Sequence, residues 1–180
     1  AAETLVTGGT DLLANDWSRD GRFLLFADAG TTTSWDLWTL DLQAKDARPV
    51  PYLQTPAGER YGAFSPDGRW IAYVSDESGG QEVYVQSFPP GGGKFQVSVG
   101  GGFYPRWRAD GRELYFLSDN TLMAVTIQTS PRFAAGVPTL SVCPSTATFN
   151  SGCAFIMSTT CFTIGCDSAL IVALPVSKLM

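Results

Sequence analysis

A short motif ending in Asp-Gly-Arg occurs three times in this chain and limits the folds that the chain can adopt. The three copies occupy residues 16–22, 63–69 and 106–112. Their shared glycines, Gly21, Gly68 and Gly111, are 47 and 43 residues apart. Repeats of about 40–50 residues that hold several strands each are typical of β-propeller blades. The sequence therefore predicts three blades, read at residues 16–42, 63–88 and 105–127.

Each motif predicts a tight turn that is followed by an apolar strand. Glycine tolerates a positive φ and aspartate accepts hydrogen bonds from the backbone just after it, so Asp-Gly favours a turn. The apolar runs that follow suit a strand buried on both faces, and they begin at Phe23, Trp70 and Glu113. Further runs predict the outer strands of the blades, at residues 36–40, 50–53, 82–86, 94–99 and 121–125. With 19 Gly, 11 Pro and no long helical periodicity, the chain is predicted to be all-β with four-stranded blades.

Three blades leave a ring incomplete, because propellers typically close with 4–8 blades. An open blade exposes apolar surface and unpaired strand edges. Two copies of three blades would form a six-bladed ring, and two copies of three blades plus an irregular fourth would form an eight-bladed one. The sequence therefore predicts a homodimer, the commonest kind of oligomer. Closure within one chain is the alternative.

The composition changes near residue 138, so we expect a blade segment at 1–137 and an atypical tail at 138–180. From residue 134 onward the only charged residues are Asp167 and Lys178. Runs at 160–164 and 170–174 predict strands that patch a sheet edge or form a partial fourth blade. An altered reading frame or a fusion would account for this composition.

All four cysteines lie in the tail, at Cys143, Cys153, Cys161 and Cys166. No Cys-x-x-Cys pair occurs among them, which favours buried free thiols. Disulfides and a four-thiolate zinc site remain open alternatives.

Charge and composition exclude several functions. The net charge of −5 disfavours binding to nucleic acid. No run of 18 apolar residues predicts a membrane-spanning helix. The chain contains no histidine, which removes the Ser-His-Asp triad, the Cys-His dyad and histidine-based zinc sites.

Candidate binding residues precede the apolar strands, where a propeller channel would open. Trp35 is added because it interrupts the repeat and is predicted to lie in a loop after residues 31–34. By contrast, Trp17 and Trp107 share a repeat position with Phe64 and are predicted to pack between blades. The candidate ligand contacts are Asn15, Asp16, Trp35, Glu59, Arg60, Tyr61, Tyr104 and Arg106. No cofactor is expected in the leading interpretation; in the alternative, Asp16 and Glu59 help bind a divalent ion such as Ca²⁺ or Zn²⁺.

The segment Ser65–Gly79 followed by Glu82–Val85 resembles the TolB-like propeller repeat, as does Gly100–Arg108. The likeness covers about residues 12–137. It implies a bacterial β-propeller, since similar repeats occur C-terminal to some bacterial serine/threonine kinases and winged-helix regulators. It also implies a soluble protein of the bacterial cytoplasm or periplasm. No kinase or DNA-binding domain accompanies the repeats here, so those activities are not carried over.

Three functional hypotheses follow. The leading one is a non-catalytic binding or scaffold module that presents loops and an axial channel to a protein or small-molecule partner. The second is a metal-dependent, promiscuous hydrolase of phosphoesters or lactones at the channel. The third is a structural remnant without a selected function.

Overall fold

The computed structural model describes residues 4–6, 11–30, 34–130 and 132–140, together with three short strands of the tail. Every regular element among the described residues is a β-strand, which confirms the all-β prediction. None of the described residues forms a helix that is long and apolar enough to cross a membrane. The chain divides into two compact units, Ala1–Ser141 and Val142–Met180.

The first two blades are four-stranded antiparallel sheets whose strands pair in chain order. Blade 1 consists of β1 (Leu12–Trp17), β2 (Phe23–Ala29), β3 (Trp35–Asp41) and β4 (Val50–Leu53). Blade 2 consists of β5 (Glu59–Phe64), β6 (Trp70–Ser75), β7 (Glu82–Ser87) and β8 (Lys94–Gln96). The apolar runs therefore form the second strand of each blade, as predicted.

Blade 3 begins in the same way but ends differently. Its first strands are β9 (Phe103–Trp107), β10 (Glu113–Ser118) and β11 (Thr121–Gln128). Two short strands, β12 (Ala134–Ala135) and β13 (Thr139–Leu140), both pair with β11 and take the place of a single fourth strand. The three blades form a partial propeller that is open and not closed into a ring.

The Asp-Gly turns have the geometry that their sequence predicts. Gly21, Gly68 and Gly111 adopt φ of +72°, +68° and +71°. In the first turn, Asp20 Oδ1 accepts hydrogen bonds from Ser18 Oγ at 2.6 Å and from the Arg22 amide at 3.0 Å. These bonds, that of Ser18 first, lower the pKa of Asp20. The three aspartates thus act as turn formers.

The first strands of blades 2 and 3, β5 and β9, pack against the middle strands of the preceding blade, and β1, β5 and β9 lie side by side. One apolar core lies between blades 1 and 2, and a second lies between blades 2 and 3. The fully buried members of the first core are Leu25, Ala27, Leu37, Ile71 and Tyr73. Those of the second are Ala72, Val74, Val83, Val85 and Leu114.

The described part of the tail is a small antiparallel sheet of β14 (Met157–Ser158), β15 (Cys161–Thr163) and β16 (Ile171–Val172). β15 and β16 fall within the two runs predicted to be strands. That these strands patch an edge of the blades stays a prediction. The state of the four cysteine thiols lies outside the described residues.

Candidate functional site

The first strands of the three blades share an irregularity at the same repeat position. The pairing register shifts between Ala14 and Asp16 on β1 and between Arg60 and Ala63 on β5, and β9 shows the corresponding shift opposite β10. A bulge of this kind bends a strand and changes the direction of its side chains. The sequence motif does not predict this bulge, because the bulge precedes the Asp-Gly turn by several residues.

Tyr61 and Tyr104 occupy equivalent positions in two of these bulges. Their φ angles are +58° and +53°, in the left-handed region that bulky residues rarely adopt. Such a conformation costs on the order of 1–3 kcal/mol and persists only where the surroundings enforce it. The two ring centroids are 4.5 Å apart with an interplanar angle of 51°. A hydrogen bond with Tyr61, aided by burial, raises the pKa of Tyr104.

Arg60 lies directly beside this tyrosine pair. Its guanidinium carbon is 5.9 Å from the centroid of the Tyr61 ring. The Arg60 Nε atom is buried and has no hydrogen-bond partner among the described residues. A charged donor in that state is costly, since a buried unsatisfied polar group loses about 1–3 kcal/mol or more.

Arg106 lies on β9, two residues after Tyr104. Its Nη1 donates to the Pro105 carbonyl at 3.0 Å. Burial lowers the pKa of Arg106, and the negative charge of Asp16 opposes that shift. By repeat register, Arg60 and Arg106 lie three positions apart along the strand direction, which corresponds to roughly 10 Å. The two cations therefore flank the tyrosine pair. We call Arg60, Tyr61, Tyr104 and Arg106 the inner-strand wall.

Asn15 and Asp16 join blade 1 to blade 2. Asn15 Oδ1 accepts from the Gly62 amide at 2.7 Å, and Asp16 Oδ2 accepts from the Phe64 amide at 2.8 Å. Asp16 Oδ1 accepts from the Trp17 amide at 2.8 Å. Burial raises the pKa of Asp16, and the backbone hydrogen bonds oppose the rise. Both carboxylate oxygens of Asp16 thus accept hydrogen bonds from backbone amides, so this side chain helps to hold blades 1 and 2 together.

Glu59 stands apart from Asp16. It is 1% exposed; its Oε1 accepts from Thr55 Oγ1, and its Oε2 has no hydrogen-bond partner among the described residues. Asp16 contacts Phe64, five residues further along β5, which corresponds to roughly 15 Å of strand. A Ca²⁺ ion binds oxygens at about 2.3–2.6 Å, so one ion cannot bind both carboxylates. Within the described ranges, no group of three or more Asp, Glu, Cys or His residues could hold a metal ion.

A second carboxylate, which the sequence motifs do not single out, lies near Glu59. Asp36 is the second residue of the third strand of blade 1 and takes the repeat position of Glu82 in blade 2. Glu82 accepts from Ser98 Oγ and from the amides of Gly100 and Gly101 at 2.8 and 2.9 Å. Asp36 accepts from Gln54 Nε2 at 3.2 Å. The presence of an acidic residue at the same repeat position in blades 1 and 2 is the sequence feature that could have identified Asp36.

Burial raises the pKa of Glu59, and the charges of Asp36 and Glu77 raise it further. By repeat register, the position of Glu59 is taken in blade 3 by Gly102, which carries no side chain. At these two repeat positions, the junction between blades 1 and 2 therefore holds two buried carboxylates, Asp36 and Glu59, where the next junction holds one, Glu82.

The predicted loop position of Trp35 is wrong. Trp35 is the first residue of β3, opposite Ala29 on β2, and its half-buried ring packs against the core between blades 1 and 2. The sequence placed it in a loop because the run of threonine and serine before it hides the start of the strand. Trp35 is thus a partly buried strand residue at the core between blades 1 and 2.

A groove of about 650 Å³ opens at the Asp-Gly ends of blades 2 and 3, opposite to the ends at which their first strands begin. The sequence alone does not predict this groove, because turns that are far apart in the chain form it. Its charged lining residues are Arg19, Asp67, Asp110 and Arg112.

No protein-family model matches the sequence, and no curated protein matches it. Solved structures do match. A protein described as TolB from Agrobacterium tumefaciens is 16% identical, with a TM-score of 0.58 over 74% of this chain and 52% of that chain. TolB from Acinetobacter baumannii is 18% identical, with a TM-score of 0.46 over 68% of this chain and 31% of that chain. A protein described as a 6-phosphogluconolactonase from Bacteroides uniformis is 16% identical, with a TM-score of 0.47 over 74% of this chain and 45% of that chain.

The likeness to the Agrobacterium protein defines the class of fold. The chain is a partial β-propeller. More particularly, its fold is TolB-like, as its repeats imply. At 16% identity the likeness to the Agrobacterium protein shows the fold alone. The TM-scores of the other two structures are too low to support a conclusion. The chain spans about half of the length of the Agrobacterium protein, 52%.

Proposed function

We propose that this protein is a non-catalytic binding or scaffold module, and that the inner-strand wall contacts its ligand. The observation that carries the proposal is the pair of left-handed tyrosines on equivalent bulges of β5 and β9. Backbone strain of this kind clusters at ligand sites, where it places a side chain that ordinary strand geometry would direct elsewhere.

The supports of the wall favour binding over chemistry. Asn15 and Asp16 connect the first strands of blades 1 and 2 through backbone amides, so the wall rests on rigid elements. The metal-dependent hydrolase remains the second candidate because Glu59 Oε2 is buried and no described residue donates a hydrogen bond to it. That oxygen needs a proton or a cation.

Glycine at either tyrosine position tests the binding function. Glycine accepts a left-handed backbone without strain, so Tyr61→Gly and Tyr104→Gly should change the free energy of unfolding by less than about 1 kcal/mol, relief of strain offsetting the lost ring contact. The ¹H–¹⁵N spectrum of the labelled protein, titrated with anionic, neutral and cationic aromatic probes, should show shifts of the Tyr61 and Tyr104 amides. Both glycine variants should lose binding, and Tyr73→Phe, in the apolar core, should retain it.

Two results would contradict this function. If no class of probe shifts the amides of the wall, the wall is not a binding surface. Turnover of activated phosphoesters or lactones that a chelator stops and Glu59→Gln abolishes would establish the hydrolase instead.

We also propose that two copies associate through blades 1 and 3. Phe64 is 6% exposed and the Trp107 indole donates to the Ala63 carbonyl at 3.1 Å, but Trp17, at the same repeat position, is 54% exposed. The opposite partner surface is blade 3, where the repeat positions of the fully buried Ala72, Val74 and Val83 hold half-buried side chains. These are Tyr115, Leu117 and Leu122. Within each junction these two kinds of surface pack together, which supports a second copy as the occupant. Phe26 and Leu40 of blade 1 are already buried, so the association concerns its exposed β1 side chains.

Light scattering on a sizing column across a dilution series tests the association. We expect a mass near twice 19.3 kDa at the highest concentrations. Trp17→Ser should shift the equilibrium toward monomer, whereas Val99→Ser, at an 88% exposed site elsewhere, should leave it unchanged. A monomer at every concentration, or a dimer insensitive to Trp17→Ser, would overturn the proposal.

A further inference from the structure

The charge of the inner-strand wall differs from that of the protein as a whole. The chain carries 17 acidic and 12 basic residues. Among the described residues, Arg22, Arg69, Lys94 and Arg108 each form an ion pair within 4.0 Å with a carboxylate. The other described basic residues form none there, and among these only Arg60 and Arg106 are half-buried. Asp16 acts on Arg106 at longer range. An acidic protein therefore places two cations without contacting counter-ions beside its strained tyrosines.

Arg60 is prepared to donate to a ligand. Among the described residues its buried Nε–H is unsatisfied and its terminal Nη atoms, which are not buried, form no hydrogen bond, while the guanidinium lies over the Tyr61 ring. Stacking on an aromatic face restricts the planar guanidinium and directs its donors. A guanidinium held in this way matches the geometry of carboxylate and phosphate oxygens, which accept two parallel hydrogen bonds from it.

The tyrosines supply the surface for the uncharged part of a ligand. Tyr104 remains 39% exposed although its ring contacts Tyr61. An aromatic ring with one free face binds planar apolar groups by offset stacking or edge contacts. Arg106 adds positive potential on the other side of the pair.

We infer that the inner-strand wall binds a small aromatic oxyanion, a carboxylate or a phosphate ester, whose charged group accepts from Arg60 and whose ring contacts Tyr104. The inference rests on the proposed binding function and names its ligand class. Carboxylate and phosphate share the chemistry that the guanidinium selects. The positive potential of Arg106 strengthens the attraction, and added salt weakens it.

The test is an NMR titration of the Arg Nε–H signals with four probes: benzoate, phenyl phosphate, benzamide and benzylammonium. The Arg60 signal is assigned by its loss in Arg60→Lys, which keeps the charge but removes the planar donor. We expect benzoate or phenyl phosphate to shift this signal, and the stronger of the two identifies the acid. Affinity should fall about tenfold in Arg60→Lys, the value of one charge-assisted bond. Arg22→Lys, at the outer pair with Asp41, should have no effect.

The outcomes separate this inference from the binding function. Benzamide or benzylammonium binding at the tyrosine amides as strongly as benzoate would overturn the oxyanion inference and leave the binding module intact. Benzoate binding that Arg60→Lys does not weaken would also overturn it. If none of the four probes shifts any signal of the wall, both proposals fail.

Discussion

Replacing Leu25 by alanine is expected to lower the free energy of unfolding by about 2–5 kcal/mol, because it leaves a cavity in a core that collapses only partly. Leu25 is fully buried between blades 1 and 2. Gly62 of β5 approaches it so closely that a Cβ at position 62 would lie 2.5 Å from Leu25 Cδ2. Gly62→Ala should therefore also destabilise the protein, by about 1–3 kcal/mol through overpacking.

The two changes should not add. In the double variant the new methyl group at position 62 enters space that Leu25 has vacated, so the loss should be smaller than the sum by about 1 kcal/mol. Denaturant unfolding of the four proteins measures this coupling. Gly62→Ala combined with Leu114→Ala, in the core between blades 2 and 3, is the matched control and should be additive. Additivity in both pairs would contradict the described contact between the blades.

Replacing Glu59 by glutamine is expected to stabilise the protein at neutral pH by on the order of 1 kcal/mol. Burial and the charges of Asp36 and Glu77 raise the pKa of Glu59 above its ordinary 4.5. The folded state therefore binds the proton more tightly than the unfolded state. The favourable contribution of Glu59 is complete below pH 4.5 and is lost as the pH rises through its folded pKa. Glutamine is neutral throughout and keeps an acceptor for Thr55.

Thermal unfolding of both proteins between pH 3.5 and pH 8 checks this sign (an assay range of roughly that width spans the transition). The difference in stability should appear only on the neutral side and vanish on the acidic side. Glu113→Gln serves as control, because Glu113 accepts from Arg108 at 2.8 Å and from Tyr115 at 2.6 Å, and its loss should not stabilise. A Glu59→Gln variant less stable than the parent at neutral pH would mean that the carboxylate is held by a cation, as the hydrolase hypothesis requires.

The parts of the fold that sequence predicts well are local. The Asp-Gly turns recur with the same φ at Gly21, Gly68 and Gly111, and the apolar runs after them form the second strands. Turn and strand preferences act over a few residues, so three copies of one motif indicate three copies of one unit.

The candidate site depends on alignment between blades, and the sequence predicts it only in part. Tyr61 and Tyr104 were selected from the repeat, and the structure brings their rings into contact. Asp16 and Glu59 were expected to serve one metal, but they lie near opposite ends of β5. No sequence motif points to Asp36, although it lies close enough to Glu59 to raise the pKa of that carboxyl.

The amino-acid sequence alone determines that this chain builds Asp-Gly-linked antiparallel blades, because the turn residues and strand periodicity specify each blade locally. Only the tertiary structure decides how neighbouring blades meet. Bulges reorient Tyr61 and Tyr104. Backbone amides of β5 donate hydrogen bonds to the side chains of Asn15 and Asp16. The burial of each side chain depends on the adjacent blade. Trp17 shows this most clearly: its repeat position predicts packing, but its exposed fraction is 54%. A periodic pattern specifies which face of a strand is apolar, and the neighbouring blade alone provides the surface that covers it.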